Sequence, residues 1–497
     1  MAETRLAERL GAIDLDLRGA IGLRGAVVEV GDDVARVVGL RDAGADELVV
    51  FDSGAVGMAY ELAPAETGVV LLANADRVCA GEGVDPTGAL PSVPVGDDVL
   101  GRLIDPLGHP LDERPPPAGA RRPVFRAAPG LTERAPIDRP LLTGVMVLDS
   151  AIPIGRGQRQ LIVGDRNVGK TALALDIVSA QRAGDVVCIY VVIGQPISRV
   201  LAIRESLETQ GALANSVVIA AEASDPAGLQ YLAPYAGTTV AEYFRDLGRD
   251  ALVIYDDLTK HADAYRELAL LLGRSPGREA FPGDIFYVHA QLLERATAMA
   301  GTPHGGSLTA FPIVETIDSD ISAYIPTNLI SITDGQVYLD TGLFERNQRP
   351  AIDIGRSVSR VGGSAQSPPM RAAARNLRIV MSRFESLESL TRVGLDVDPA
   401  TQKAVARGRI MRELLRQPRF RARPPSDQIV ALTAVAEGWL DGLAPAAARA
   451  VIGSVTEQLH AEQAQLMATL EGRDELPDDA WKEEVRAAIA TAREEAQ

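Results

Sequence analysis

The run LIVGDRNVGKTALALD, Leu161 to Asp176, sets Gly164, Asp165, Arg166, Asn167, Val168, Gly169, Lys170 and Thr171 in the spacing G-x-x-x-x-G-K-T. An apolar strand precedes it and a helix-forming run follows, the context that a phosphate cradle needs. Glycines let backbone N–H groups converge on phosphate oxygens, and the helix N-terminus adds the positive end of its dipole. Lys170 is placed to reach the β phosphate of a bound nucleotide, and the γ phosphate where that nucleotide is ATP rather than ADP, and the Thr171 hydroxyl to ligate Mg²⁺. Only four of the 50 basic residues are lysine: Lys170, Lys260, Lys403 and Lys482. In a sequence that otherwise writes positive charge as arginine, an ammonium inside the glycine loop points to a required compact charge.

A second run, ALVIYDDL, ends an apolar strand in Asp256 and Asp257. A carboxylate at a C-terminal strand edge can hold the same Mg²⁺ or its water. Asp256, the first after the apolar run, is the candidate; Asp257, or a plain strand end, is the alternative. Hydrolysis also needs a group to orient or deprotonate water. The strand that follows the glycine loop and its helix, residues 186–193, runs into IGQPISR, and the polar residue at its end is Gln195. An amide orients water but is a very poor base, although glutamine suffices in some GTPases. Self-contained hydrolysis is disfavoured and left open. Arg360, in SVSRVGG just before a Gly-Gly turn, reads either as a rim charge or as a finger reaching the γ-phosphate in a neighbour's site.

These residues need elements to position them. From about residue 135 to 375, strand candidates at 160–163, 186–193, 216–220, 251–255, 307–314 and 329–339 alternate with helical segments, among them 169–182, 238–248, 260–272 and 284–297. That alternation predicts an α/β domain on a mostly parallel sheet. Before it, residues 25–95 are short β-rich runs with turn signals every 8–12 residues, which predicts a small closed β-barrel. Residues 1–24 carry Leu6, Leu10, Ile13 and Leu17 at helical spacing, and 112–130 is a proline-rich loop. From about 376 strand signals vanish and helical periodicity takes over. The expected division is therefore a helical segment 1–24, a β-barrel 25–95, a nucleotide-binding α/β domain 96–375 and a helical domain 376–497.

Composition narrows the function classes. A net charge of −17 opposes nonspecific nucleic-acid binding, and 4% aromatic content leaves few base-stacking platforms. No run approaches a membrane-spanning length, and the charged N-terminus lacks a secretory h-region. Cys79 and Cys188 are far apart, each in an apolar context, and are expected to be buried free thiols. The five histidines show no metal spacing.

The runs ERAPIDRPLLTGVMVLDSAIPIGRGQR, GDRNVGKTALALD, VIYDDLTKHADAYRELALLLGRSPGREAFPGDIFYVHAQLLERA, ISAYIPTNLISITDGQVYLDT and RPAIDIGRSVSRVGG resemble the alpha subunits of F-type rotary ATP synthases over nearly the whole length. The resemblance implies an N-terminal β-barrel, a RecA-like P-loop core and C-terminal helices. It also implies that Gln195 stands where catalytic beta subunits carry glutamate, and that the protein binds Mg-ATP without turnover. Arg360 would act in a neighbouring beta subunit's site, with Ser331 nearby. Three alpha and three beta subunits would alternate around a gamma shaft, with the peripheral stalk and its delta subunit met through the N-terminus. The assembly would sit on the cytoplasmic face of the bacterial inner membrane. It would couple ATP synthesis or hydrolysis to proton or sodium movement.

On the adenine side the family pairs an Arg-Pro, here Arg349-Pro350, with a Gln-x-Gln run, here Gln417-Pro418-Arg419. The second glutamine is replaced, and Asn167-Val168 stand for the usual Gln-Thr. These departures, with IGQPISR, resemble the alternate, second-copy ATPases known as N-type. Two rival readings predict other residues. A catalytic beta-like or export-type ATPase predicts glutamate at 195. A Rho-like RNA translocase predicts a basic N-terminal domain, whereas residues 25–95 hold three arginines and no lysine.

Overall fold

Residues 24–301, 305–392, 398–472 and 480–495 are described by a computed structural model; the helix expected over residues 1–24 lies, Arg24 apart, outside them. Six short strands follow: β1 (Gly25–Val30), β2 (Val34–Val38), β3 (Leu48–Phe51), β4 (Val56–Leu62), β5 (Thr67–Ala73) and β6 (Gly83–Pro86). They close into a barrel in the order β1-β2-β5-β4-β3-β6, and closure removes free edges. Successive side chains point to opposite faces. Val37, Phe51, Val69 and Leu71 fill the barrel, while Val34, Met58, Val70 and Leu72 join the core of the next layer. Cys79 lies on an exposed turn between β5 and β6, against expectation, because its polar neighbours Asp76, Arg77 and Glu82 face water. Cys188 is buried as expected, and burial pushes its thiol up to about 12.

β7 (Ser92–Val95) and β9 (Ala120–Pro123) pair antiparallel. The stretch expected to be an irregular loop thus contains a strand, with Pro123 tolerated at its end. One eight-stranded sheet then organises the fold. It comprises β8 (Leu103–Ile104), β10 (Leu161–Asp165), β11 (Val186–Gln195), β12 (Ser216–Glu222), β13 (Asp250–Asp256), β14 (Ser307–Thr316), β15 (Gly335–Leu339) and β16 (Val358–Ser359), in the order β16-β15-β10-β14-β13-β11-β12-β8. Every neighbouring pair is parallel except β15 with β16. Both faces are covered, so the central strands are continuous Val/Ile runs rather than alternating ones.

The covering helices are α1 (Met146–Ala151), α2 (Lys170–Ala180), α3 (Ile197–Thr209), α4 (Ala227–Asp246), α5 (Leu258–Leu271), α6 (Ile285–Leu293), α7 (Tyr324–Ile332) and α8 (Thr341–Glu345). Two differ from expectation. The strand expected over 329–339 begins as α7, because Ile325, Leu329 and Ile332 bury one helical face; only Gly335–Leu339 is strand. The helix expected over 238–248 starts at Ala227 and runs through Pro234, since burial on all sides holds it there despite the missing donor. At Gly228 the barrel comes so close that a Cβ would lie 2.4 Å from Val70 Cγ1. Beyond β16 the described residues are helical: α9 (Pro368–Ala374), α10 (Leu377–Arg392), α11 (Pro399–Leu415), α12 (Pro425–Ala436), α13 (Pro445–Glu462), α14 (Ala464–Leu470) and α15 (Ala480–Glu495).

Where the barrel meets the helices, Tyr60, Tyr231, Tyr265, His261 and His289 form one buried ring cluster. His261 Nδ1 lies 3.4 Å from His289 Nε2, and His261 Nε2 3.2 Å from the Tyr231 carbonyl. Burial pushes His261 down to about 4 and lowers His289 as well. An unfolded histidine titrates near 6.5. A depressed folded value means that stability is full above the unfolded value and is lost as pH falls from there toward the folded one. Between pH 6.5 and pH 5 this loss is roughly 2 kcal/mol from His261 alone. We expect His261→Gln to lose less Tm than the parent protein between pH 7 and pH 5; equal losses would remove His261 from the account.

Candidate functional site

β10 ends at Asp165, and the loop turns over Asn167 (φ 61°) and Gly169 (φ 100°), both in the left-handed region. Asparagine and glycine are the residues that visit it most readily. Asp165 does not face the cradle. Its carboxylate accepts from Thr316 Oγ1 (2.6 Å), from Ser319 N–H and Oγ (both 2.8 Å) and from Thr341 Oγ1 (3.1 Å), which pins the loop to the end of β14 and the start of α8. Val168 is part of the core. These two residues shape the loop, and Gly169 caps α2, so that its first N–H groups open into a cavity of about 610 Å³.

Lys170 and Thr171 line that cavity. The Lys170 ammonium donates to the carbonyls of Gly164 (2.8 Å) and Asp165 (2.6 Å) and lies 3.7 Å from Glu315 Oε1. Burial pushes its pKa down, against the pull of Glu315, Asp257 and Asp256; phosphate oxygens entering here would favour the charged form further. Arg166 is exposed and donates from Nε to Glu315 Oε2 at 3.0 Å.

Asp256, at the end of β13, is buried and accepts from three side chains. Thr171 Oγ1 donates at 2.9 Å and Tyr190 OH at 2.8 Å, both to Oδ2. Gln195 Nε2 donates to Oδ1 and to the Asp256 carbonyl, each at 3.0 Å. Burial raises the Asp256 pKa while these bonds oppose the rise. Thr171 and Asp256 thus bring two hard oxygen donors together at the phosphate end, which suits Mg²⁺ completed by phosphates and water. Among the described residues no group of three or more His, Cys, Asp or Glu could hold a metal ion unaided. Asp257 caps α5 by accepting from Lys260 N–H at 2.9 Å. Burial, and then the Asp256 charge, push it up to about 7.

Like Gly164, Asp165 and Val168 of the loop, the expected nucleotide residues Arg349, Pro350 and Gln417 are not part of the cavity lining. Arg349 lies with its Cζ 3.8 Å from the Phe344 ring centroid, and Pro350 sits in a small separate crevice beside Val147. Gln417 is buried with its amide fully engaged: Oε1 accepts from Met146 N–H (3.1 Å), and Nε2 donates to the carbonyls of Gly144 (2.7 Å) and Arg421 (2.6 Å). Other residues line the site in their place, notably Arg199, Ser206, Lys260, Glu315 and Arg419. Glu315 carries the same signal as Asp256, the first acid after an apolar strand. Arg199 had no comparable mark, since only the course of α3 brings it to the cavity.

Arg360 and Ser331 are also outside the cavity, and they are neighbours. Both are exposed. Arg360 Nη1 donates to the Thr333 carbonyl at 3.0 Å and Nη2 to the Ile330 carbonyl at 3.5 Å. Ser331 Oγ donates to the Thr327 carbonyl at 2.9 Å. Among the described residues Arg360 has no carboxylate partner, and its guanidinium rests on the carbonyl end of α7, where a cation is favourable.

Residues 144–359 match the nucleotide-binding domain of the ATP synthase alpha/beta family, and residues 366–492 match the C-terminal domain of that family. The protein is 51% identical to ATP synthase subunit alpha 1 of Paraburkholderia xenovorans, over 88% of its own length and 86% of that relative. It is 49% identical to ATP synthase subunit alpha 2 of Syntrophus aciditrophicus, over 89% and 85% respectively. With ATP synthase subunit alpha 2 of Albidiferax ferrireducens the identity is 47%, over 94% and 87%. This protein belongs to the ATP synthase alpha/beta family and, within it, to the alpha subunits of F-type ATP synthases.

Proposed function

We propose that this subunit holds Mg-ATP without turning it over and lends Arg360 to the catalytic site of an adjacent beta subunit. The observation that carries this reading is the Gln195 amide. Its Nε2 is turned onto Asp256, so the group at the end of β11 steadies the metal-side carboxylate and cannot take a proton from water. The Glu315 carboxylate is engaged by Arg166 and Lys170. Asp257, though raised to about 7, caps a helix, and a divalent cation beside it would pull its pKa back down.

In this reading the loop amides and Lys170 hold the phosphates, and Thr171 and Asp256 hold Mg²⁺. Bound there, the cation neutralises phosphate charge and fixes its geometry. Arg360 keeps several N–H donors free on an exposed edge, where it can stabilise charge on a γ-phosphoryl group held by the neighbour. The ring would contain three alpha and three beta subunits around a gamma shaft, on the cytoplasmic face of the bacterial inner membrane, with the stalk and its delta subunit met through the N-terminus. The coupled ion, H⁺ or Na⁺, would be set in the membrane ring. No helix among the described residues is long and apolar enough to cross a membrane, so membrane contact would come through the rest of the complex.

The purified full-length protein should retain nucleotide through gel filtration and show Mg-ATP turnover no higher than background. Lys170→Ala should release that nucleotide. Fast turnover by the protein alone would replace this reading with a beta-like one. In the assembled ring, Arg360→Lys should lower multisite ATPase activity by about 10³-fold with assembly and nucleotide retention intact; a rate near that of the parent would remove the finger assignment.

A further inference from the structure

The cavity runs along α2 from the cradle at Lys170 and Thr171 to Leu175, where Ile203, Ser206 and Arg419 also line it. With phosphates at the helix N-terminus, the base lies toward the Leu175 end, since four residues advance roughly 6 Å. The loop after α11 could offer that end two polar side chains. Gln417 is an amide, whose paired acceptor and donor match adenine N6 and N7, but both halves of it are held by Met146, Gly144 and Arg421. Arg419 is the one that lines the cavity. It is exposed, has no carboxylate partner among the described residues, and its Cζ lies 4.6 Å from the Phe420 ring centroid. The Phe420 N–H donates to Asp176 Oδ1 of α2 at 2.8 Å, so this loop is fixed to the helix that carries the cradle.

A guanidinium only donates. Facing adenine N7 and N6, one of its N–H groups meets another donor. Facing guanine N7 and O6, both meet acceptors. Ser206 does not reverse this choice: its hydroxyl donates to the Ala202 carbonyl at 2.7 Å, and its remaining lone pairs can serve an amino group on either purine.

We propose that Arg419 sets the base preference of this site, and that the site takes guanine nucleotides at least as well as adenine ones. The inference rests on the nucleotide-holding reading above. The test is displacement of radiolabelled Mg-ATP from the full-length protein by unlabelled Mg-GTP and Mg-ATP. Mg-GTP should displace the label at a concentration equal to or below that of Mg-ATP. Arg419→Gln should shift the ratio of the two midpoints toward ATP by about tenfold, the scale of one bidentate contact. Arg419→Ala, which removes the donors without adding an acceptor, should weaken GTP more than ATP. A parent protein that prefers ATP tenfold or more would overturn the inference, and so would an Arg419→Gln ratio equal to the parent's. Either result still shows bound ATP and leaves the nucleotide-holding reading intact. Failure of the label to bind at all would instead remove that reading, and this inference with it.

Discussion

A buried carboxylate with no partner is among the most expensive groups a fold can contain. Asp256 is buried, and its environment is built to satisfy it: a hydroxyl from α2, a phenol from the middle of β11 and an amide from that strand's end all donate to it. Satisfying it fixes much else. The strand order places β14 between β10 and β13, with β11 on the far side. All four strands are parallel, so their C-terminal ends share one edge, where ligand sites of such sheets form. The Thr171–Asp256 bond closes that edge across β14, and the same bond sets the start of α2 and hence the direction of its N–H groups.

The charge pattern follows from what that edge must hold. The protein carries a net charge of −17, yet Arg166, Lys170, Arg199, Lys260 and Arg419 all line one cavity. Three of them, Arg199, Lys260 and Arg419, have no carboxylate partner among the described residues. Asp256, Asp257 and Glu315 line the same cavity, so five cations face three carboxylates there, and that surplus of positive charge on an acidic protein suits a polyphosphate. Arg360 is organised differently. It sits on a helix C-terminus away from the cavity and keeps donors to spare, which is why one subunit can be read as contributing to two separate sites.

Much of this was legible in the sequence because local rules decide it. The glycine loop, the strand before it and the acid ending β13 each announce themselves within a few residues, and so does the alternation that closes the barrel. What was not legible depends on long-range placement. The NLISI run of α7 has the apolar content of a strand, and only its packing against the sheet selects the helix. Pro234 reads as a breaker until α4 is surrounded. Cys79 looks buried from its apolar neighbours, but the turn faces water. Arg199 and Arg419 line the cavity only when segments far apart in sequence fold together; the family resemblance sets the Gln417-Pro418-Arg419 run on the adenine side, but nothing local marks Arg199.

The residues displaced from the nucleotide cavity form a continuous strut. Asp165 of the loop accepts from Thr341 at the start of α8. A Cβ built at Gly169 would lie 3.9 Å from the Phe344 ring, on which Arg349 stacks. The Arg349 carbonyl accepts from Gln417 N–H at 2.8 Å, and the Gln417 side chain ties that loop to Gly144 and Met146 at the start of α1. Part-buried and buried hydrogen bonds, with the Arg349–Phe344 stack between them, thus join the cradle loop to the loop before the last helices. In the proposed reading Gln417 would act on a nucleotide only indirectly, by holding the loop that carries Arg419. An amide already engaged at three points cannot also read a base, and that leaves the neighbouring guanidinium as the polar side chain of this loop free to do so.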